Sequence, residues 1–169
     1  TLVSGPVTLH TVHPHIHRID VESAAEMHQA AAEAFKEADA GILCAAVADF
    51  TPEQVAAQKI KREKDDLVLR LKPTCDIAAS LGKEKRPGQV LVGFALETCD
   101  EVSHAQDKLA RKNFDFIVLN SLNDKGAGFR CDTNKITIID RSEAVSYPLK
   151  SKKEVAEDIV DKLSSLFHS

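Results

Sequence analysis

The chain has 169 residues, a formal net charge of −4 and a pI of about 6. Hydrophobic residues make up 43% and charged residues 28%, which suits one soluble globular domain with a substantial core. The mild acidity argues against a nucleic-acid partner, which would call for a large basic excess, and no apolar run reaches the roughly 20 residues that cross a bilayer. Cys44, Cys75, Cys99 and Cys131 form no CxxC pair and fit no zinc spacing. They read as free thiols of a reducing compartment, so the expected localisation is cytoplasmic.

In chain order, residues 1–4 read as a short strand ended by Ser4, Gly5 and Pro6, and 17–21 as a second extended piece. Ser23 with Glu26 three residues on is a capping box, opening a helix whose apolar stripe (Met27, Ala30, Ala31, Ala34, Phe35, Ala38) runs to about Asp39. "GILCAAVA" (41–48) is a near-continuous apolar run, read as a strand buried on both faces, with Cys44 inside it and Asp49 closing it. Residues 50–66 are polar and charged, and "LVLRL" (67–71) returns to a strand pattern.

Thr74 is placed to cap a short helix, "CDIAASL", that Gly82 stops. "QVLVGFA" (89–95) and "FDFIVLN" (114–120) read as buried strands. The helix between them, 101–112, turns Val102, Ala105 and Leu109 inward. After "NDKGAG", the segments "FRCD" and "KITIID" around Thr133 and Asn134 suggest a hairpin. Ser151 and Glu154 repeat the capping-box pattern and start a final helix with Val155, Ile159, Leu163 and Leu166 on one side.

Long apolar strands alternating with helices predict a parallel α/β sheet. Ligands bind such sheets beyond the carboxyl ends of the strands. That draws attention to Asp49, to "GFALET" (93–98) and to Asn120. Asp49 suits a ribose hydroxyl, a base amine or a metal-bound water, and equally a simple turn cap. Lys59, Lys61 and Arg62 could neutralise a polyphosphate from a loop, or form a solvated charge run beside Glu63, Asp65 and Asp66. Lys108 and Lys112 lie one turn apart, where the helix dipole by itself favours cations. The histidines of "HTVHPHIH" (10–17) read as a surface loop, and the GxG of "KGAGF" (125–129) as a turn. Spacing alone supports a soluble α/β domain with a cleft for a phosphorylated ligand.

The order of the pieces says more. "TLVSGPVTL", "SAAEM", "AAVADF", "QKIK", "PTCDI", "VLVGFALET", "KLARKNFDFIVLN" and "GFRCDTNKITIID" follow one another in a series that closely resembles phosphopantothenoylcysteine synthetase. This is the ligase domain of the bacterial bifunctional coenzyme A biosynthesis flavoprotein, and the resemblance runs the length of the chain. It implies a Rossmann-like, mostly parallel sheet flanked by helices, with a small β subregion for dimerisation. The domain limits it implies are a single ligase domain over 1–169, with a nucleotide-binding sheet over about 1–49 and 74–120. Dimerisation elements cover about 50–73 and 121–150, and a terminal helix 151–167.

The implied reaction is CTP-dependent ligation of 4′-phosphopantothenate to cysteine with Mg²⁺, through an acyl-cytidylate. By resemblance, Leu43, Cys44, Ala45, Asp49, Lys72, Pro73, Thr74, Cys75, Phe94, Lys108 and Lys112 contact the nucleotide, Asp49 either directly or through its metal. Lys59 is the catalytic lysine of a mobile loop, and Lys61 and Arg62 are its phosphate-facing companions. Arg62 stands where the family usually has lysine, which keeps the charge but changes the head-group geometry. The implied partners are a second copy in a homodimer and an upstream phosphopantothenoylcysteine decarboxylase domain, which holds FMN where present. The chain begins at what resembles the family's second strand, without the earlier asparagine-bearing segment, so it is expected to be weak or inactive alone. Two other readings stay open: an ATP-using version of the ligase, and a nucleotide-binding or dimerisation module without catalysis.

Overall fold

The computed structural model describes residues 1–61, 66–97, 100–121 and 132–168. In chain order the elements are β1 (Leu2–Ser4), β2 (Arg18–Asp20), α1 (Ala24–Glu37), β3 (Ala40–Leu43), β4 (Phe50–Pro52), β5 (Leu71–Pro73), α2 (Ile77–Glu84) and β6 (Val90–Glu97). They continue with α3 (Glu101–Arg111), β7 (Phe116–Ser121), β8 (Thr133–Asn134), β9 (Ile136–Asp140), β10 (Ala144–Ser146), β11 (Lys150–Ser151) and α4 (Lys152–Phe167). The chain divides into two compact units, one of residues Thr1–Ala31 with Ala45–Ile77 and the other of Ala32–Cys44 with Ala78–Ser169.

The larger unit is built on a five-stranded sheet in the order β10-β9-β7-β6-β3. β3, β6 and β7 pair in parallel, β9 runs against β7, and β10 runs against β9. Four strands therefore point one way and only β9 opposes them, the mostly parallel layout expected from the sequence. Val92, Phe116, Val118, Ile136 and Ile138 share a buried cluster with Val155 and Ile159 of α4, against which Phe94, Tyr147 and Leu163 pack. On α3, Ala105 and Leu109 are buried as expected, whereas Val102 is 43% exposed. Leu166 of α4 is also exposed rather than inward, because α4 has run past the cluster by its last turn.

Two local signals act where the sequence put them. In α1, Glu26 Oε2 accepts from the N–H groups of Glu22 and Ser23, each at 2.9 Å, while Glu26 N–H donates to Ser23 Oγ at 3.2 Å. In α4, Ser151 and Glu154 exchange the same pair of bonds. The N–H groups of Glu22 and Ser23 hold Glu26 below the usual carboxylate range, and the Ser151 hydroxyl, with its N–H, does the same for Glu154. At the other end of α1, the buried side chain of Gln89 donates to the carbonyls of Phe35 (2.7 Å) and Ala38 (2.6 Å). These are acceptors of the helix end, of which the Phe35 carbonyl also accepts from Ala38 N–H at 3.3 Å.

Several expectations are corrected. The apolar run 41–48 is strand only to Leu43, where the ladder with Gly93 ends. Among the described residues β3 pairs with β6 alone, and Ile42 is 43% exposed, so the strand is not buried on both faces; Cys44 falls just beyond it. The strand expected over 67–71 instead starts at Leu71, and its two-residue-period pattern faces solvent. β9 and β10 form a hairpin and β8 pairs with β11, while the hairpin expected around Thr133 and Asn134 falls largely outside the described residues.

Gly82 does not stop α2, which runs two residues further to Glu84. Its lack of a side chain serves packing: a Cβ there would collide with the carbonyl oxygen of Lys112. Thr74 does not cap α2; its side chain bonds elsewhere. "NDKGAG" and most of "FRCD" lie outside the described residues, as do Cys99 and Cys131.

Candidate nucleotide site

The smaller unit brings five of the expected contact residues to one place. β4 and β5 pair antiparallel, with Phe50 opposite Pro73, Thr51 opposite Lys72 and Pro52 opposite Leu71. Just beyond that pairing, Thr74 N–H donates to the carbonyl of Asp49 at 2.9 Å, and its hydroxyl donates to the carbonyl of Ala48 at 2.7 Å. The turn Lys72–Pro73–Thr74–Cys75 is thereby fastened beside Asp49. Threonine explains the fastening, since one residue supplies both donors. Asp49, Lys72, Pro73 and Cys75 are exposed, as a ligand-facing rim requires.

Lys59 and Lys61 follow on the same unit in irregular, exposed chain, and Arg62 lies outside the described residues. Ala45 is exposed and opens the segment that leads to Asp49. The His10–His17 segment is a loop: Ile16 N–H donates to the His13 carbonyl at 3.1 Å, closing a turn. Among the described residues, no group of three or more His, Cys, Asp or Glu side chains is arranged to hold a metal ion.

In the larger unit, Leu43 and Cys44 stand at the carboxyl end of β3. Cys44 is exposed overall, yet enough chain crowds its thiol for burial to push its pKa up. Phe94 is half-buried on β6 opposite Val118 and packs against the cluster under α4. Beside it, Gly93 leaves room for the Phe114 ring, which any Cβ would strike. At the carboxyl end of β7, Asn134 Nδ2 donates to Asn120 Oδ1 at 2.9 Å, so the Asn120 strand end is tied to the short β8.

Lys108 and Lys112 are placed differently from expectation. α3 connects two parallel strands, so it runs back along the sheet and its last turn arrives at the amino end of β7. Lys112 N–H donates to the Lys108 carbonyl, and Asn113 follows in a left-handed conformation, φ 53°. Asn113 Nδ2 donates to the Gly82 carbonyl at 2.9 Å. Lys85 Nζ donates to the Asn113 carbonyl at 2.8 Å and to both oxygens of Asp115 at 2.9–3.0 Å. Asp115 in turn accepts from Leu91 N–H at 2.6 Å, at the start of β6. Lys112 is therefore fixed at the amino ends of β6 and β7, the end away from Asn120, with Lys108 one turn nearer to it. The "KNFD" stretch of "KLARKNFDFIVLN", Asn113 and Asp115 included, is the clamp that does this. Composition and spacing gave no hint of its partners Gly82 and Lys85.

The fold and these strand ends define a Rossmann-like α/β domain, with its acidic turn and lysine segment on a separate small unit. The chain belongs to the family described as DNA/pantothenate metabolism flavoprotein C-terminal domain, which it matches over residues 1–166. The resemblance to the phosphopantothenoylcysteine synthetase domain read from the sequence is confirmed. The chain is 42% identical over 166 residues to the coenzyme A biosynthesis bifunctional protein CoaBC of Bacillus subtilis, covering 98% of this chain and 41% of that protein. It is 57% identical over 169 residues to a cysteine/cysteine sulfinic acid decarboxylase of an unknown prokaryotic organism, covering 99% of this chain and 47% of that protein. The chain thus spans less than half the length of both relatives. A crystal structure of the C-terminal domain of CoaBC superposes with a TM-score of 0.81 at 34% identity, over 99% of this chain and 74% of that one.

Proposed function

We propose that the chain is the ligase portion of a phosphopantothenate–cysteine ligase in coenzyme A biosynthesis, and that it uses CTP. The observation that carries this is the match from residue 1 to residue 166 to one family, together with the likeness to the C-terminal domain of CoaBC. In this reading the pantothenate carboxylate attacks the α-phosphate of CTP, pyrophosphate leaves, and the cysteine amine then displaces CMP from the acyl-cytidylate.

Asp49 and the Lys72–Cys75 turn receive the nucleotide; their mutual fastening supports treating them as one surface. Lys59, with Lys61 and Arg62, neutralises charge that builds on the phosphates as pyrophosphate departs. The resemblance assigns Leu43, Cys44, Ala45 and Phe94 to the base and ribose end; Lys108 and Lys112, near the amino end of β7, are assigned their cationic contacts by resemblance alone.

A magnesium ion fits this set only as one carried in on the triphosphate. Asp49 is a single exposed carboxylate, and such ions are commonly held by one or two carboxylates plus substrate phosphates. Bound there, the ion would neutralise phosphate charge; Asp49 would hold its position.

The homodimer expected from the resemblance has support in the small unit. Phe50, Val55, Ile60, Leu67, Val68, Leu69 and Leu71 are all more than half exposed. Apolar exposure on that scale fits burial against a second copy.

Release of pyrophosphate, measured with CTP and separately with ATP in the presence of 4′-phosphopantothenate, tests the nucleotide. The reading expects strong preference for CTP; equal or better turnover with ATP assigns the ATP-using version instead. A second reading rests on the 57% identity to a protein named as a decarboxylase. There the chain is a nucleotide-binding or dimerisation module of a decarboxylating protein, and neither nucleotide releases pyrophosphate.

A further inference from the structure

We propose that Cys75 and His28 form a reactive thiol–imidazole pair, a site for exchange with low-molecular-weight disulfides of the cystine type. The two residues are 47 positions apart, one in the turn after β5 and the other on α1, and both belong to the small unit. Cys75 Sγ lies 3.6 Å from His28 Nε2, within reach of an S–H···N contact. Cys75 is exposed, so a disulfide can approach its sulfur, while His28 is half-buried on its helix.

Both backbones are held. Thr74, the residue before the thiol, makes the two bonds to Ala48 and Asp49, and the Ser23–Glu26 capping box fixes α1 one turn before His28. The contact thus joins two anchored segments.

The chemistry needs no further reagent. His28 takes the Cys75 proton, and the thiolate attacks one sulfur of the incoming disulfide. A new S–S bond forms to Cys75 and the original S–S bond breaks. The other half leaves as a thiolate, to which the imidazolium returns the proton. Cys44 offers a contrast within the chain, because burial pushes its thiol pKa up and no such exchange is assigned to it. The inference stands apart from the ligase reading. If that reading holds, the modified thiol is the last residue of the turn assigned to the nucleotide.

Peptide mapping by mass spectrometry after brief exposure to iodoacetamide, and separately to cystine, tests it on the intact protein, since all four cysteines can be followed singly. Cys75 should react about tenfold faster than Cys44 with both reagents. His28→Gln should lower the Cys75 rate about fivefold and leave the Cys44 rate unchanged. Equal rates at Cys75 and Cys44 in the unaltered protein would overturn the proposal. So would a Cys75 rate that His28→Gln leaves untouched. A rise at every cysteine in the variant would report unfolding, and the ratio in the unaltered protein then decides.

Discussion

Thr74 N–H donates to the carbonyl of Asp49 at 2.9 Å, across 24 residues of intervening chain that includes the whole lysine segment. This bond closes the base of that segment. The Thr74 hydroxyl reinforces it through Ala48. Thr74→Val keeps the shape and the backbone bond but deletes the hydroxyl donor. We expect a stability loss of about 1 kcal/mol or less, since the bond is largely exposed. CTP affinity should fall severalfold, measured by titration calorimetry, because the Asp49 turn is no longer held. Unchanged affinity would separate the turn from nucleotide binding.

Gly82 distinguishes packing from helix propensity. Replacing an ordinary helix-interior glycine by alanine stabilises by about 1 kcal/mol. Here the added Cβ meets the Lys112 carbonyl oxygen, a backbone atom that cannot turn aside. Gly82→Ala should therefore destabilise, by about 1–3 kcal/mol, read as a lower midpoint in urea. A raised midpoint would mean that α2 and the end of α3 do not approach as described.

Lys85 and Asp115 carry the clamp at the amino end of the sheet. Lys85 is largely buried, with its side chain 10% exposed, and it satisfies three acceptors. Lys85→Met leaves Asp115 with Leu91 N–H as a donor but without its cation. The cost should be about 2–3 kcal/mol in chemical denaturation. A cost below about 0.5 kcal/mol, usual for surface positions, would contradict the clamp.

Asp140 gives a pH dependence of known sign. Desolvation by itself would raise its pKa. Lys162 Nζ at 2.7 Å, the Ser142 hydroxyl and the N–H groups of Ser142 and Glu143 outweigh that and hold the carboxyl well below the usual range. A carboxyl depressed in the folded state stabilises fully above its unfolded pKa, and the contribution fades as pH falls through the folded one. Thermal unfolding should show this loss beginning below about pH 4. Asp140→Asn should remove that part of the acid dependence while costing about 2 kcal/mol at neutral pH. An acid limb unchanged in the variant would contradict the assignment. Lys162 is raised by the same pair, so its share persists at neutral pH and is lost only as pH climbs through its folded value.

What the sequence revealed follows the range of the interactions involved. Ser23 with Glu26 and Ser151 with Glu154 were legible because a capping box is closed within four residues. β6 and β7 were legible because both faces of each are covered, and continuous apolar runs result. The same rule failed at 41–48 and 67–71. There apolar residues sit on or just past an edge strand, or face solvent ahead of the β4–β5 pair, and hydrophobicity alone does not say which. Lys108 and Lys112 were correctly put at a helix end, but which end of the sheet they reach depends on the parallel pairing of β6 with β7. Asp49 was marked by its place after an apolar run and the Lys72–Cys75 turn by family resemblance, and their bonding through Thr74 was not readable from either segment by itself. Cys75 was singled out as a nucleotide contact; its neighbour His28 was missed because the two are distant in sequence.

Formation of 4′-phosphopantothenoylcysteine from 4′-phosphopantothenate, cysteine, CTP and Mg²⁺, followed by mass spectrometry, is the most direct measurement of what this protein does. We expect product only when all three organic substrates are present, and its loss by about 100-fold or more in Lys59→Gln, the order of effect for removing one charge-stabilising group. Product at an undiminished rate in Lys59→Gln, or faster product with ATP than with CTP, would contradict the assignment.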